Sequence, residues 1–72
     1  MTRLAAFMRE HNITDVRLAT RAGLTPERVG ALRHGKSEPR VSTMQGVARA
    51  ARDLLRRPVR ITELFDLGDG ER

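Results

Sequence analysis

An all-α fold of five short helices is predicted by two features of this 72-residue chain. Apolar residues recur at three-and-four spacing along most of its length, the period of a helix with one buried face. Helix start and stop signals interrupt that pattern at short intervals. No internal repeat, low-complexity segment or dividing linker is visible, so a single domain is expected, near the lower size limit for folding without staples. Helices are expected at about 3–11, 15–22, 26–34, 43–56 and 62–66. Residues 1–67 are read as the domain and residues 68–72 as a flexible acidic tail.

Leu4, Phe7 and Met8 form the apolar stripe of the first helix, Asn12 ends it, and Ile13 turns back into the core. Thr14 is an expected N-cap for the second helix, with Asp15 at the positive end of its dipole. Leu18, Ala19 and Ala22 share one face of this helix, and Ala19 is small enough to sit at a helix crossing. Gly23 stands where it must stop, because glycine takes the left-handed cap conformation without strain. Thr25 and Pro26 restart a helix as N-cap and first helical residue. Val29 and Leu32 form its buried side, and it ends at His34 and Gly35. Lys36 to Arg40 is a loop, held extended before Pro39. Ser42 and Gln45 match a capping box for the fourth helix. Its buried face is expected to hold Met44, Val47, Ala48, Ala51, Leu54 and Leu55, opposite Arg49, Arg52 and Arg56. Pro58 ends that helix, and Thr62 is an expected cap for the last turn.

The formal charge is +5, unevenly spread: residues 1–60 carry +8 and residues 61–72 carry −3. A basic body suits a polyanion partner, with the acidic tail pointing away from it. An arginine-rich solvated surface would give the same total, so charge acquires meaning only beside a motif. The chain has no cysteine, which removes disulfides from consideration without identifying a redox compartment. No apolar run approaches membrane-spanning length, and the N-terminus lacks a signal-peptide core, so a cytoplasmic protein is expected. His11 and His34 have no further ligand at a metal-binding spacing, and no serine stands in a nucleophile motif. Neither a metal, a cofactor nor catalysis is expected.

From about Leu4 to Leu67 the chain resembles the Cro and phage-repressor family of helix-turn-helix proteins, often called XRE-like. The resemblance rests on six elements in order: Leu18-Ala19, Ala22-Gly23-Leu24, Val29 with Leu32, Gly35-Lys36 with Pro39, the helix from Met44 to Leu55, and Leu64-Phe65. It implies a compact five-helix lambda-repressor-like domain whose third helix enters the major groove. On that mapping Thr25, Pro26, Glu27, Arg28 and Ala31 face the bases. Arg28 suits guanine, Glu27 suits cytosine N4, and Ala31 suits a thymine methyl. Thr25 suits capping or a phosphate. The resemblance further implies phosphate contacts from Arg17, Lys36, Ser37, Arg40, Ser42 and Thr43, some of them through backbone amides at a helix N-terminus.

Two positions depart from the family pattern. Asp15 stands where a phosphate-binding glutamine is common, and a carboxylate there repels DNA unless a neighbouring arginine pairs with it. Arg33 stands where many relatives carry glutamate; it is either a phosphate ligand or the replacement for a lost structural ion pair. Gly30, inside a helix, costs on the order of 1 kcal/mol relative to alanine, which a close approach to DNA or to another helix would explain.

The resulting expectation is a sequence-specific transcriptional regulator of double-stranded DNA, bacterial or phage-encoded and associated with the nucleoid. It would act as a homodimer on a palindromic operator, blocking or recruiting RNA polymerase. The length and the Leu64-Phe65 ending also resemble restriction–modification controller-type proteins. Val59, Ile61, Leu64, Phe65 and Leu67 exceed what one short helix buries, so Ile61, Leu64, Phe65 and Leu67 are the expected dimer contact, Phe65 suiting the monomer's own core almost equally. The alternative, of a different class, is a protein-interaction adaptor or antitoxin with the same fold. Steep loss of DNA affinity with salt would distinguish the first from the second.

Overall fold

Residues 2–66 are described by the structure, a computed structural model. The predicted fold class is borne out. The described residues form five helices and no strand: α1 (Arg3–Glu10), α2 (Asp15–Ala22), α3 (Pro26–Arg33), α4 (Val41–Leu55) and α5 (Ile61–Leu64). No helix among them is long and apolar enough to cross a membrane.

Threonine caps begin the first three helices. Thr2, Thr14 and Thr25 are each extended, and each side chain accepts a bond from the amide three residues on, at Ala5, Arg17 and Arg28 respectively. These bonds satisfy amides that have no partner inside the helix. Thr2 does more, donating its hydroxyl to the Arg33 carbonyl at 2.6 Å. The start of α1 therefore closes the end of α3. At the other ends, Asn12 and Gly23 both take positive φ, 57° and 75°, and turn the chain sharply after α1 and α2. Behind Asn12, the Ile13 amide reaches back to the Met8 carbonyl, and the Ile13 side chain is buried.

Two expected caps are corrected. α4 begins at Val41, two residues before the expected start, so Ser42 is already inside the helix and makes no capping box with Gln45. Arg40 is the N-cap, and no side chain closes that end. Arg40 is extended, with φ −74° and ψ 161°, and the helix begins directly behind it. α5 likewise begins at Ile61 rather than at Thr62. Glu63 reaches back and accepts the Arg60 amide at 2.9 Å, while the arginine side chain has no acceptor with which to return the bond. α4 also stops before Pro58: Arg56 adopts a left-handed φ of 58°, a position that glycine favours.

Leu4, Leu18, Val29, Val47 and Leu64 are the largest fully buried side chains, one from each helix. α2 packs on α3 and α4, α1 on α3 and α5, and α4 on α5. Ala48, Ala50 and Ala51 fill the α4 face with Val47, while Met44, Leu54 and Leu55 are only partly buried against it. Ala50 was not expected inside; α4 packs against both α2 and α5, which widens its buried face. Leu64 and Phe65, expected at a dimer contact, are 1% and 9% exposed and belong to the monomer's own core. The surplus of apolar residues near the C-terminus is thus largely absorbed within the chain, Val59 and Ile61 being partly buried as well. Leu67 and the tail at 68–72 lie outside the described residues.

Ala19 is 1% exposed in the α2 face that meets α3, and its carbonyl accepts the Leu24 amide across the turn at 2.9 Å. Ala19→Val should overpack this crossing and lower stability by about 1–3 kcal/mol, measured by urea denaturation; a wild-type midpoint would show that the crossing has slack.

Glu63 is held below the usual carboxylate range, chiefly by the bond from the Arg60 amide and secondarily by the charge of Arg57, with partial burial opposing both. A depressed native pKa stabilises above the unfolded pKa and is lost as pH falls through the native one. Glu63→Gln should therefore be less stable than wild type at neutral pH, with the gap closing below about pH 4. A gap that persists at pH 3 would assign the effect to the side chain's shape rather than its charge.

Candidate nucleic-acid interface

The turn between α2 and α3 creates the candidate face. Gly23 has φ 75° and hands the chain to Leu24 and the Thr25 cap within three residues. α3 must then lie against α2, and only one side of it can be buried. Val29 at 0% and Leu32 at 4% exposure occupy that side. Burying such a pair is worth roughly 1.5–3 kcal/mol each, more than an eight-residue helix gains from its own propensity. The cap and first turn are left outside: Thr25, Pro26, Glu27 and Arg28 are exposed, and Ala31 is half-buried. This is the division expected for the five base-facing candidates. The Thr25 hydroxyl oxygen is occupied as acceptor by the Arg28 amide at 3.1 Å, but its own proton remains free to donate.

The two unusual residues meet each other. Arg33 grips Asp15 with two parallel bonds, Nε to Oδ1 and Nη2 to Oδ2, both at 3.0 Å. The geometry is the bidentate fork that suits a guanidinium and a carboxylate. Asp15 in turn raises the pKa of Arg33, first through that hydrogen bond and then through its charge. Asp15 at the start of α2 is thus neutralised from the end of α3, and Arg33 serves as the structural partner. Gly30 lies alongside: a Cβ built there would stand 3.6 Å from the Asp15 carboxylate. The start of α2 therefore abuts the middle of α3.

Some of the remaining cations have partners and others do not. Arg3 donates to the Thr62 carbonyl, Arg21 and Arg52 flank Asp53, and Arg57 reaches Glu63 and the Pro58 carbonyl. The side chains of Arg17, Arg28, Lys36 and Arg40 carry no ion pair or hydrogen bond among the described residues, and all four are exposed. Lys36 is tied to α3 by its backbone, donating to the Ala31 carbonyl at 2.9 Å. Arg40 opens α4, where the uncapped first turn leaves backbone amides free beside exposed Ser42 and half-buried Thr43. Ser37 is half-buried and lines a groove of about 630 Å³ behind the loop, together with Leu32, Met44, Leu64 and Phe65. It is thus less accessible to a large ligand than its neighbours. Among the described residues no group of three or more His, Cys, Asp or Glu could hold a metal ion, and His11 packs its ring on Phe7 at 4.5 Å.

No protein-family model, curated protein or solved structure matches the chain.

The pairing of Asp15 with Arg33 was half legible. Their opposite charges lie 18 residues apart across a tight turn, but their meeting depends on how α3 is rotated. The uncapped start of α4 was hidden by a serine-to-glutamine spacing that imitates a cap. Gly30→Ala should raise stability by roughly 0.5–1 kcal/mol in urea denaturation, since the added methyl makes only ordinary contact with Asp15 while helix propensity improves. A loss instead would mean that the methyl displaces the Asp15–Arg33 pair.

Proposed function

We propose that this chain is a sequence-specific double-stranded DNA-binding regulator that inserts α3 into the major groove. The observation that carries the reading is the exposed first turn of α3, where Arg28 stands with its guanidinium unpaired beside the face that Val29 and Leu32 bury. An arginine in that state can donate two bonds to guanine O6 and N7. Glu27 accepts from cytosine N4, and Ala31 offers a methyl-sized contact to thymine.

Phosphates on either side are held by Arg17, Lys36 and Arg40, and by the free amides and hydroxyls at Ser42 and Thr43. Helix starts of this kind favour anions. Asp15 does not oppose the backbone, because Arg33 offsets its charge.

One recognition helix reads too few base pairs for useful specificity. The proposal therefore includes a homodimer on a palindromic operator, with half-sites roughly 34 Å apart. Leu64 and Phe65 are unavailable to that contact, which leaves Ile61 and Leu67 of the expected set. Occupying or freeing a promoter would then block or recruit RNA polymerase.

A salt titration with selected and scrambled duplexes tests the reading. Arg28→Ala should cost roughly 1–3 kcal/mol on the selected site and relax preference at one base pair. Lys36→Ala and Arg40→Ala should weaken both duplexes alike, each reducing the slope of log affinity against log salt by about one unit. Equal losses on both duplexes for Arg28→Ala would make it a phosphate ligand. An unchanged slope in both loop variants would remove the loop from the interface.

A further inference from the structure

The C-terminal ends of α2 and α4 gather a second set of arginines that the proposed interface does not use. Arg21, Arg52, Arg56 and Arg57 line one shallow cleft of about 460 Å³ with Asp53 and Pro58. Four positive charges are gathered there against Asp53 and, through Arg57, Glu63. Cations at helix C-termini are favoured by the helix dipole, which accounts for part of the gathering. It does not account for their convergence on one cleft, where they repel one another until an anion enters.

Three of the four guanidiniums are also held in place. Asp53 stands between two of them, 3.5 Å from Arg21 and 3.3 Å from Arg52. Arg57 is braced by the Pro58 carbonyl at 2.8 Å, by Glu63 at 3.4 Å and by the Phe7 ring at 5.9 Å. Arg56 has no partner among the described residues, and it occupies a left-handed position that glycine would fill more readily. Fixed guanidinium forks suit phosphate oxygens better than the mobile point charge of lysine. The lining offers no large apolar side chain, whereas a protein partner would need an apolar anchor at the centre of its contact.

The cleft lies at the far end of α4 from the uncapped turn at Val41. Fifteen helical residues separate the two ends by about 20 Å. Arg17 lies one turn from Arg21 along α2, so a basic track connects the two regions. We propose that the cleft holds the phosphate backbone of a second DNA segment, so that one domain bridges two duplexes. This rests on the DNA reading above, and the test separates the two.

The measurement uses the full chain, one immobilised duplex and a labelled second duplex whose capture is counted. Affinity for a single duplex is determined in parallel, and helicity is checked by circular dichroism. Wild type should capture the second duplex. The double variant R52Q/R56Q should capture about tenfold less or worse, while its single-duplex affinity changes by less than about twofold. Capture by the variant equal to wild type would overturn the proposal. So would a parallel fall in single-duplex affinity, which would make the cleft part of the first interface. Wild type that binds one duplex but captures no second overturns bridging alone, whereas no binding to any duplex overturns the DNA reading and bridging together. Protection of wild type but not of the variant by tripolyphosphate in a thermal melt, without capture, would give the cleft to a free polyphosphate instead.

Discussion

The left-handed turn at Gly23 is the constraint on which the rest of the domain depends. It reverses the chain within three residues and so brings α3 back against α2. A β-carbon at that position would meet no steric obstacle from the surroundings; the difficulty is the positive φ itself. Once the turn is made, the small Ala19 lets the two helices close, and Val29 and Leu32 enter the space beneath. Their burial decides the rotation of α3, and the rotation decides which residues are left outside. Arg28 is exposed because Val29 is not.

Electrostatics follows the same geometry. The chain spends several of its cations on structure: Arg3 joins α1 to α5, Arg33 joins α3 to α2, and Arg21 joins α2 to α4 through Asp53. Each of these pairs is partly solvated, so none is a large source of stability. Their effect is to fix helix orientation and to neutralise acids that would otherwise repel a polyanion. Arg17, Arg28, Lys36 and Arg40, on α2, α3 and the loop into α4, keep no intramolecular partner among the described residues, as do Arg9, Arg49, Arg56 and Arg60 elsewhere. A net charge of +5 says little by itself. The sorting of arginines into partnered and unpartnered sets is what gives the proposed interface its sign.

The fold was legible where local chemistry determined it. Thr-Asp, Gly and Thr-Pro act through bonds of three or four residues' reach, and α2 and α3 accordingly fall where their capping residues require. Legibility failed where a local pattern imitated a cap. Ser42 and Gln45 have capping-box spacing, yet Arg40 is the N-cap and the helix begins before the serine. It failed again where the answer depended on tertiary space. Leu64 and Phe65 are apolar near a chain end, which fits either a dimer surface or a core; the gap left between α1 and α4 takes them inward. Of the candidate site, the exposure of Thr25 to Arg28 could be read from the phase of Val29 and Leu32. The Asp15–Arg33 pair could not be read in full, because an 18-residue separation becomes a contact only after the turn has closed.

Stability and recognition are consequently unequal demands on α3. Eight residues with an interior glycine are too few to hold a helix in water alone. Its shape comes from the Thr25 cap at one end, the Thr2 bond to the Arg33 carbonyl at the other, and two buried side chains between them. Apart from Thr25, none of these supports uses an outward side chain. The outward face can therefore change its side chains with little effect on folding, while any change at Val29, Leu32 or Ala19 alters both the fold and the angle at which the face is presented. A core rich in alanine makes this separation sharper. Ala19, Ala48, Ala50 and Ala51 leave little room for compensating movement, so the helices behind α3 act as a stiff support. The support is fixed by packing, and the chemistry offered to a partner is written on residues that packing does not use.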